Sequence, residues 1–153
     1  MAYRTISITT DTPMKEGVAS GGITPGHLIE RTSTADQVQV HALEGGWAQR
    51  LFAIEDEKQG KEIGDAYATG TLVFFRNFLP GDEVYVRIKN GEAIAIGDKL
   101  VSAGDGTLRE AIPDSSEVMM EEDVLVIALE ACDMSGSSGA DPAGGLCRVE
   151  IKG

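Results

Sequence analysis

The sequence predicts a mainly β protein, a small β-barrel or β-tulip-like domain with an extended N-terminal arm. Between Asp65 and Ala111, short apolar stretches alternate with turn sequences such as Pro-Gly-Asp and Gly-Asp-Gly, which is the pattern of a small barrel. The 153 residues include 19 glycines and only 5% aromatic residues, a composition typical of a turn-rich β protein with a modest core. A chain of this length forms one domain with appendages.

Residues 1–22 are predicted to be the arm, and residues 23–153 the barrel-like domain. Residues 3–9 alternate and are rich in Thr and Ile, which favours a strand or a segment that becomes a strand on a partner. Residues 11–22 are Gly-rich and polar, and we expect them to be too poor in apolar residues to pack as an element of their own.

The domain is predicted to begin at the turn Thr24-Pro25-Gly26. Strands are expected over residues 27–31, 37–43 and 49–55, and alternation in the second of these places His41 on the solvent face. Residues 55–69 have mixed charge and no period of two. We expect a loop there with one helical turn, of a length that commonly carries a partner contact.

The clearest strand is predicted at residues 83–89, and Asn90-Gly91 after it predicts a type I′ hairpin turn. The apolar run at 124–131 predicts a strand buried on both sides. Residues 146–152 alternate again. The last two strands are expected to pair across a glycine-rich loop and to close the barrel.

The charge of the chain disfavours several classes of partner. With 25 acidic and 13 basic residues, the formal net charge is −12, whereas nucleic-acid binding depends on Lys and Arg that neutralise phosphates. The first ten residues lack an apolar leader, and no stretch approaches the roughly 18 apolar residues of a membrane span. We therefore expect a soluble, unexported protein with no nucleic-acid or membrane partner.

Residues suited to catalysis are scarce. His27 and His41 are expected to be polar surface residues, and two histidines without a further ligand make a poor metal site. Asp82 and Asp98 each follow a glycine, where aspartate normally caps a turn by accepting hydrogen bonds from backbone amides.

The acidic residues Glu55, Asp56, Glu57 and Asp65 lack the ligand order of a calcium loop and are interleaved with lysines, so a solvated loop is expected. The glycine-rich stretch after residue 135 lacks the ending of a phosphate-binding loop. We expect no catalytic residues, no metal and no cofactor, and hence no enzyme.

Cys132 and Cys147 cannot make a disulfide framework or, by themselves, a zinc site. Buried free thiols are expected in a reducing compartment, although one cross-strand bridge is geometrically allowed if the Cα atoms lie within about 7 Å. Phe74 and Phe75 are adjacent, so in a strand one faces the core. The other contacts a partner or a second core layer.

Several segments occur in a definite order along the chain. They are Gly-Gly-Ile-Thr-Pro-Gly-His-Leu-Ile-Glu (21–30), Leu-Phe-Ala-Ile-Glu-Asp-Glu-Lys-Gln-Gly-Lys (51–61), Asp-Ala-Tyr-Ala-Thr-Gly (65–70), Pro-Gly-Asp-Glu-Val-Tyr-Val (80–86), Ile-Gly-Asp-Lys-Leu-Val-Ser-Ala-Gly-Asp-Gly-Thr-Leu (96–108), and Ala-Leu-Glu-Ala followed by a Gly-rich loop and Arg-Val-Glu-Ile. From Gly21 to Ile151 the chain resembles the capsid decoration, or cement, proteins of tailed bacteriophages. Each segment is a turn motif, and their order carries the resemblance.

The resemblance implies a non-enzymatic β-rich knob, commonly a homotrimer, that binds the major capsid protein on the outside of an expanded head and stabilises the shell. It implies synthesis in the host cytoplasm, a place on the outer capsid surface of the virion, and an arm that orders on the capsid. The residues expected to contact the capsid or another subunit are Tyr3, Arg4, Ile6, Ile8, Pro13, Met14, Lys15, Tyr67 and Phe75.

Two alternatives stay open from the sequence. One is a structural protein of the phage tail or baseplate. The other is a β-barrel that binds a small ligand such as a sugar, or a hydrolase, which would need a concave pocket with convergent polar groups. His27, His41, Asp82 and Asp98 are the candidates for such a pocket.

Overall fold

The computed structural model describes residues 5–111, 123–135 and 145–152. In these ranges the strands are β1 (Ser7–Thr9), β2 (Met14–Ala19), β3 (Ile29–Arg31), β4 (Gln37–Val40), β5 (Leu51–Ala53), β6 (Leu72–Asn77), β7 (Glu83–Ile88), β8 (Ala93–Ile94), β9 (Lys99–Ser102), β10 (Leu108–Glu110), β11 (Val126–Ala128), β12 (Cys132–Asp133) and β13 (Gly145–Ile151). A short 3-10 helix covers Glu57–Gln59. The predicted mainly β fold is confirmed. Within the described ranges, no helix is long and apolar enough to span a membrane.

Five strands form a closed barrel in the order β7-β10-β9-β11-β13, with β1 added outside β7. The barrel closes because β13 pairs antiparallel with β7, from Gly145 opposite Ile88 to Glu150 opposite Glu83. The predicted pairing of the last long strands is confirmed, since β11 and β13 are antiparallel neighbours. Alternating side chains fill the interior. The fully buried ones include Val84, Val86, Ile88, Leu100, Leu108, Val126 and Val149.

A second sheet has the order β3-β4-β2-β6-β5, so β2 lies in its middle. The expectation that residues 11–22 form no packed element is therefore wrong. Strand β2 packs with few apolar side chains because its core side carries Gly17, where a Cβ atom would lie 3.2 Å from Val38 Cγ1 and 3.5 Å from the Phe75 ring. A larger residue at this position would press on Val38, and glycine avoids this contact. That residues 1–22 act as an arm in an assembly stays a prediction.

Two local predictions have different outcomes. The loop between β5 and β6 contains the expected helical turn, at Glu57–Gln59. The turn after β7 is not type I′, because that turn needs positive φ at both central residues and only Gly91, at +92°, has it. Strand β8 accordingly leaves β7 and pairs with β12.

The barrel and the second sheet share one apolar core and are joined by buried polar contacts. Arg87 of β7 donates from Nε to the Pro25 carbonyl at 2.9 Å and from Nη2 to the Ile63 carbonyl at 2.8 Å. On another side, Arg50 forms an ion pair with Asp123 at 3.0 Å. These contacts hold the β5–β6 loop and the second sheet against the barrel.

Candidate functional site

The outer side of β2 and β6 is an exposed sheet surface, which we call the β2–β6 face. It consists of Met14, Glu16 and Val18 from β2 and Leu72, Phe74 and Arg76 from β6, of which Phe74 is buried. Val18 lies opposite Leu72, and these two apolar side chains are 38% and 46% exposed. The two side chains form a small apolar pair on the outer side of the sheet.

The period of two in a strand explains this face. In β2 the residues Met14, Glu16 and Val18 point outward, while Gly17 and Ala19 point into the core. In β6 the core side carries Val73 and Phe75. The two strands therefore have a buried inner side that faces the core and an outer side on which apolar and charged groups alternate.

A cleft of about 410 Å³ opens at the Arg76 end of this face, and we call it the N-terminal cleft. It lies between the start of the chain and the segment after β5. Its lining residues are Thr5, Ser7, Ile8, Thr10, Met14, Ile54, Glu55, Asp56, Glu57, Lys58, Phe74 and Arg76. Apolar side chains therefore lie beside three consecutive carboxylates.

Glu55 and Asp56 have different roles in the wall of this cleft. The Glu55 carboxylate accepts a hydrogen bond from the Ile6 amide at 3.0 Å and so fixes the start of β1. Asp56 is buried, and among the described residues its Oδ1 has no hydrogen-bond partner. Leaving such an oxygen unpaired is unfavourable, so a donor from a binding partner would stabilise this wall.

A second cleft of about 350 Å³ lies at the Leu72 end and shares Asp56 with the first. Tyr67 lines it, and its hydroxyl donates to the Ile54 carbonyl at 2.7 Å. Burial, with a smaller effect from the carboxylates of Asp56 and Glu55, raises the pKa of Tyr67 to about 12. Tyr67 thus holds the loop in place as a neutral hydrogen-bond donor.

The predicted contact residues fall into distinct groups. Tyr3 and Arg4 lie outside the described residues. Ile6 and Phe75 are almost completely buried in the core of the chain itself, which leaves their side chains no surface for a partner and removes the reason for choosing them. Tyr67 is also largely buried, with its ring edge in the second cleft.

The remaining predicted residues are surface groups around the β2–β6 face. Ile8 and Met14 line the N-terminal cleft. Pro13 and Lys15 line a third cleft of about 290 Å³ beside Leu79. Ile8 and Met14 therefore share one cleft, and Pro13 and Lys15 share another.

The sequence did not single out Val18 or Leu72, and it assigned Asp56 to a solvated loop, whereas Asp56 is buried. The alternation of Phe74 and Phe75 was recognised, but the structure reverses the choice between them, because Phe75 faces the core and Phe74 lines the N-terminal cleft. The pairing of Val18 with Leu72 depends on strand register. From the sequence, only the alternation of Met14, Glu16 and Val18 could have indicated that Val18 lies on the exposed side of its strand.

The expectation that both histidines are surface residues is wrong, since His27 and His41 are buried. Strand β4 ends at Val40, so the alternation that placed His41 in solvent does not extend to it. His41 Nδ1 lies 2.6 Å from Ser102 Oγ, and Nε2 lies 3.0 Å from the Trp47 carbonyl and 3.7 Å from Glu30. Although Ser, His and Glu follow one another as in a hydrolase, Ser102 is fully buried, where a substrate cannot reach it.

The interpretation of the Gly-Asp turns is confirmed. Asp82 Oδ2 accepts a hydrogen bond from the Leu79 amide at 2.9 Å, and Asp98 Oδ2 accepts one from the Ala95 amide at 2.7 Å. In the part of the chain that the structure describes, no three His, Cys, Asp or Glu residues come together as a metal site.

Comparisons with known proteins give a fold likeness. No family model matches the sequence, and no curated protein matches it. A solved structure of similar fold is the N base of the head fiber gp8.5 of bacteriophage phi29, with a TM-score of 0.56 and 17% sequence identity. The match covers 92% of this chain and 94% of the other. At this identity, the likeness shows the fold alone.

Proposed function

We propose that the chain is a non-enzymatic structural protein of a phage head, which binds the major capsid protein on the outer surface as an oligomer, with a trimer favoured, and stabilises the shell. The observation that carries the proposal is the likeness to the phi29 head fiber base, which extends over nearly the whole of both chains. The ordered turn motifs between Gly21 and Ile151 support the same role.

The β2–β6 face supplies a surface for the capsid. Val18 and Leu72 offer apolar contact area, Glu16 and Arg76 lie on the face, and the buried Glu55 and Asp56 lie in the wall of the cleft beside it. This mixture suits a partner segment with Lys or Arg, whose aliphatic stems pack on apolar groups while their charged ends meet carboxylates. A second copy is a poorer occupant of this face, because each copy carries a net charge of −12.

An oligomer explains how a modest face could stabilise a shell. Each subunit of the oligomer would contact a different capsid subunit. Binding of one subunit raises the effective concentration of the others at their sites, and the oligomer thereby links neighbouring capsid subunits. A protein that binds only the expanded lattice stabilises that lattice by mass action.

Binding to capsids tests the proposal. Purified chain is titrated onto expanded capsids that lack it, and bound protein is measured by sedimentation. The Val18→Lys/Leu72→Lys double variant places two cations where a basic partner segment would lie, so its affinity should fall at least tenfold, about 1.4 kcal/mol. The matched control is Ile96→Lys, at a residue 72% exposed outside the face, and it should bind like the wild type.

The outcomes separate the two parts of the proposal. Absence of saturable binding by the wild type would contradict the role on the head. Saturable binding that the double variant retains in full would support that role but contradict the β2–β6 face as the contact. Loss of the oligomer in the double variant would assign the face to contact between subunits instead.

A further inference from the structure

The two cysteines of the chain lie next to each other in the fold, at the border between the barrel and the small β8–β12 sheet. Cys132 is in β12, which pairs with β8 through Ile94, and Cys147 is in β13, opposite Val86 of the barrel. The segment after β11 continues alongside β13, since the Leu129 amide donates to the Arg148 carbonyl at 2.9 Å.

Each thiol reaches across to the backbone beside the other cysteine. Cys132 Sγ lies 3.6 Å from the carbonyl oxygen of Leu146, and Cys147 Sγ lies 3.5 Å from that of Glu130. Each thiol also shifts the pKa of the other. Both cysteines are free in this structure, so a reactive pair is in place without a bond.

We infer that Cys132 and Cys147 form an oxidation site, at which a low-molecular-weight disulfide such as glutathione disulfide produces an intramolecular protein disulfide. The inference does not depend on the proposed function. It assigns different roles to the two sulfurs, because Cys132 is partly exposed and Cys147 is buried.

The reaction proceeds in two exchange steps. The Cys132 thiolate attacks one sulfur of glutathione disulfide, whose S–S bond breaks, and the first glutathione leaves as a thiolate that takes a proton from water. Cys147 then gives up its proton and attacks Cys132 Sγ, and the second glutathione leaves as a thiolate that takes up that proton. Two protein thiols are oxidised, and one glutathione disulfide is reduced to two thiols.

The electrostatics agree with these roles. The hydrogen bond from Cys147 lowers the pKa of the Cys132 thiol, which favours its thiolate as the attacking group. The hydrogen bond to Cys132 and, after it, burial raise the pKa of the Cys147 thiol. Cys147 therefore reacts only after a disulfide has been placed directly beside it, on Cys132.

The bond would tie the β8–β12 sheet to the barrel. This sheet is held by few backbone bonds, among them Gly91 N to the Met134 carbonyl at 2.9 Å and Met134 N to the Glu92 carbonyl at 2.7 Å. Covalent attachment of Cys132 to β13 should suppress its local opening, and so slow hydrogen exchange at the Gly91 and Met134 amides about fivefold or more.

The test uses the full chain, reduced and then incubated with glutathione disulfide. Wild-type protein should lose both titratable thiols and the mass of two hydrogen atoms, and peptide mapping should join Cys132 to Cys147. Cys147→Ser should stop at one glutathione bound to Cys132. Cys132→Ser should remain unmodified, because its single thiol is buried.

Contrary results are equally clear. Wild-type protein that accumulates the glutathione adduct or forms dimers would overturn the pairing of the cysteines. Faster reaction of Cys132→Ser than of Cys147→Ser would overturn the assignment of roles. Unchanged exchange at Gly91 and Met134 in the oxidised protein would overturn the anchoring of the small sheet.

Discussion

The closed barrel and the β2–β6 face use strands in opposite ways. In the barrel each strand has at least two strand neighbours and directs its apolar side chains inward, so Val84, Val86 and Ile88 are fully buried. In the second sheet, β2 and β6 also pair fully, but their outer side leaves Val18 and Leu72 in solvent. The barrel is thus a self-contained scaffold, whereas the face keeps apolar area that the chain does not cover itself.

The largest expected effect comes from creating a cavity in the barrel core. Leu100 of β9 is fully buried, so Leu100→Ala removes contacts on all sides and leaves a cavity. We expect the free energy of unfolding to fall by about 2–5 kcal/mol, measured by urea denaturation. A loss below about 1 kcal/mol would mean that the barrel is not the stabilising region.

Removing the Arg87 contacts between the barrel and the second sheet should lower the free energy of unfolding somewhat less. Arg87→Met keeps the length of the side chain but removes the donors to the Pro25 and Ile63 carbonyls. Unpaired buried acceptors destabilise by about 1–3 kcal/mol each, and we expect a loss of about 2–4 kcal/mol in total. Two separate unfolding transitions in this variant would show that Arg87 couples the barrel to the second sheet. A single transition at the same urea concentration as in the wild type would contradict that role.

Tyr67→Phe tests the loop beside the face. The variant loses the hydrogen bond to the Ile54 carbonyl, so we expect about 1 kcal/mol less stability at neutral pH. The pKa of Tyr67 is raised from 10.0 to about 12 in the folded chain. Folding therefore favours the protonated hydroxyl, and its contribution is complete below pH 10 and is lost as the pH rises through about 12.

The stability difference between wild type and Tyr67→Phe should accordingly shrink between pH 10 and 12, since the other tyrosines are common to both proteins. Urea titrations at several pH values measure it. A constant difference across this range would contradict the raised pKa.

The smallest effect is expected on the face itself. Val18→Ala should change the free energy of unfolding by less than about 0.5 kcal/mol, as surface substitutions do. The matched control, Val86→Ala in the barrel, should cost about 1–3 kcal/mol, because Val86 is fully buried. Equal losses at the two positions would remove the distinction between scaffold and face.

The barrel could be predicted from the sequence because its information is local. Period-two alternation and the Gly-Asp turns, capped by Asp82 and Asp98, act within a few residues of each other. Strand β2 could not be predicted in this way. Its place depends on Gly17 fitting against Val38 and Phe75, contacts that arise only after distant strands have assembled.

The candidate site was only partly predictable for the same reason. Ile8, Met14, Pro13 and Lys15 follow from an exposed N-terminal segment, whereas Leu72 and Asp56 join them through long-range register and loop packing. His41 shows the limit of alternation, since the strand ends one residue before it.

A reconstruction of the phage head carrying the chain tests the central claim most directly. We expect the major capsid protein to cover Val18, Leu72 and the N-terminal cleft, while the far side of the barrel faces solvent. A reconstruction with the β2–β6 face in solvent and the barrel wall against the shell, or one in which the chain is absent from the head, would contradict the account.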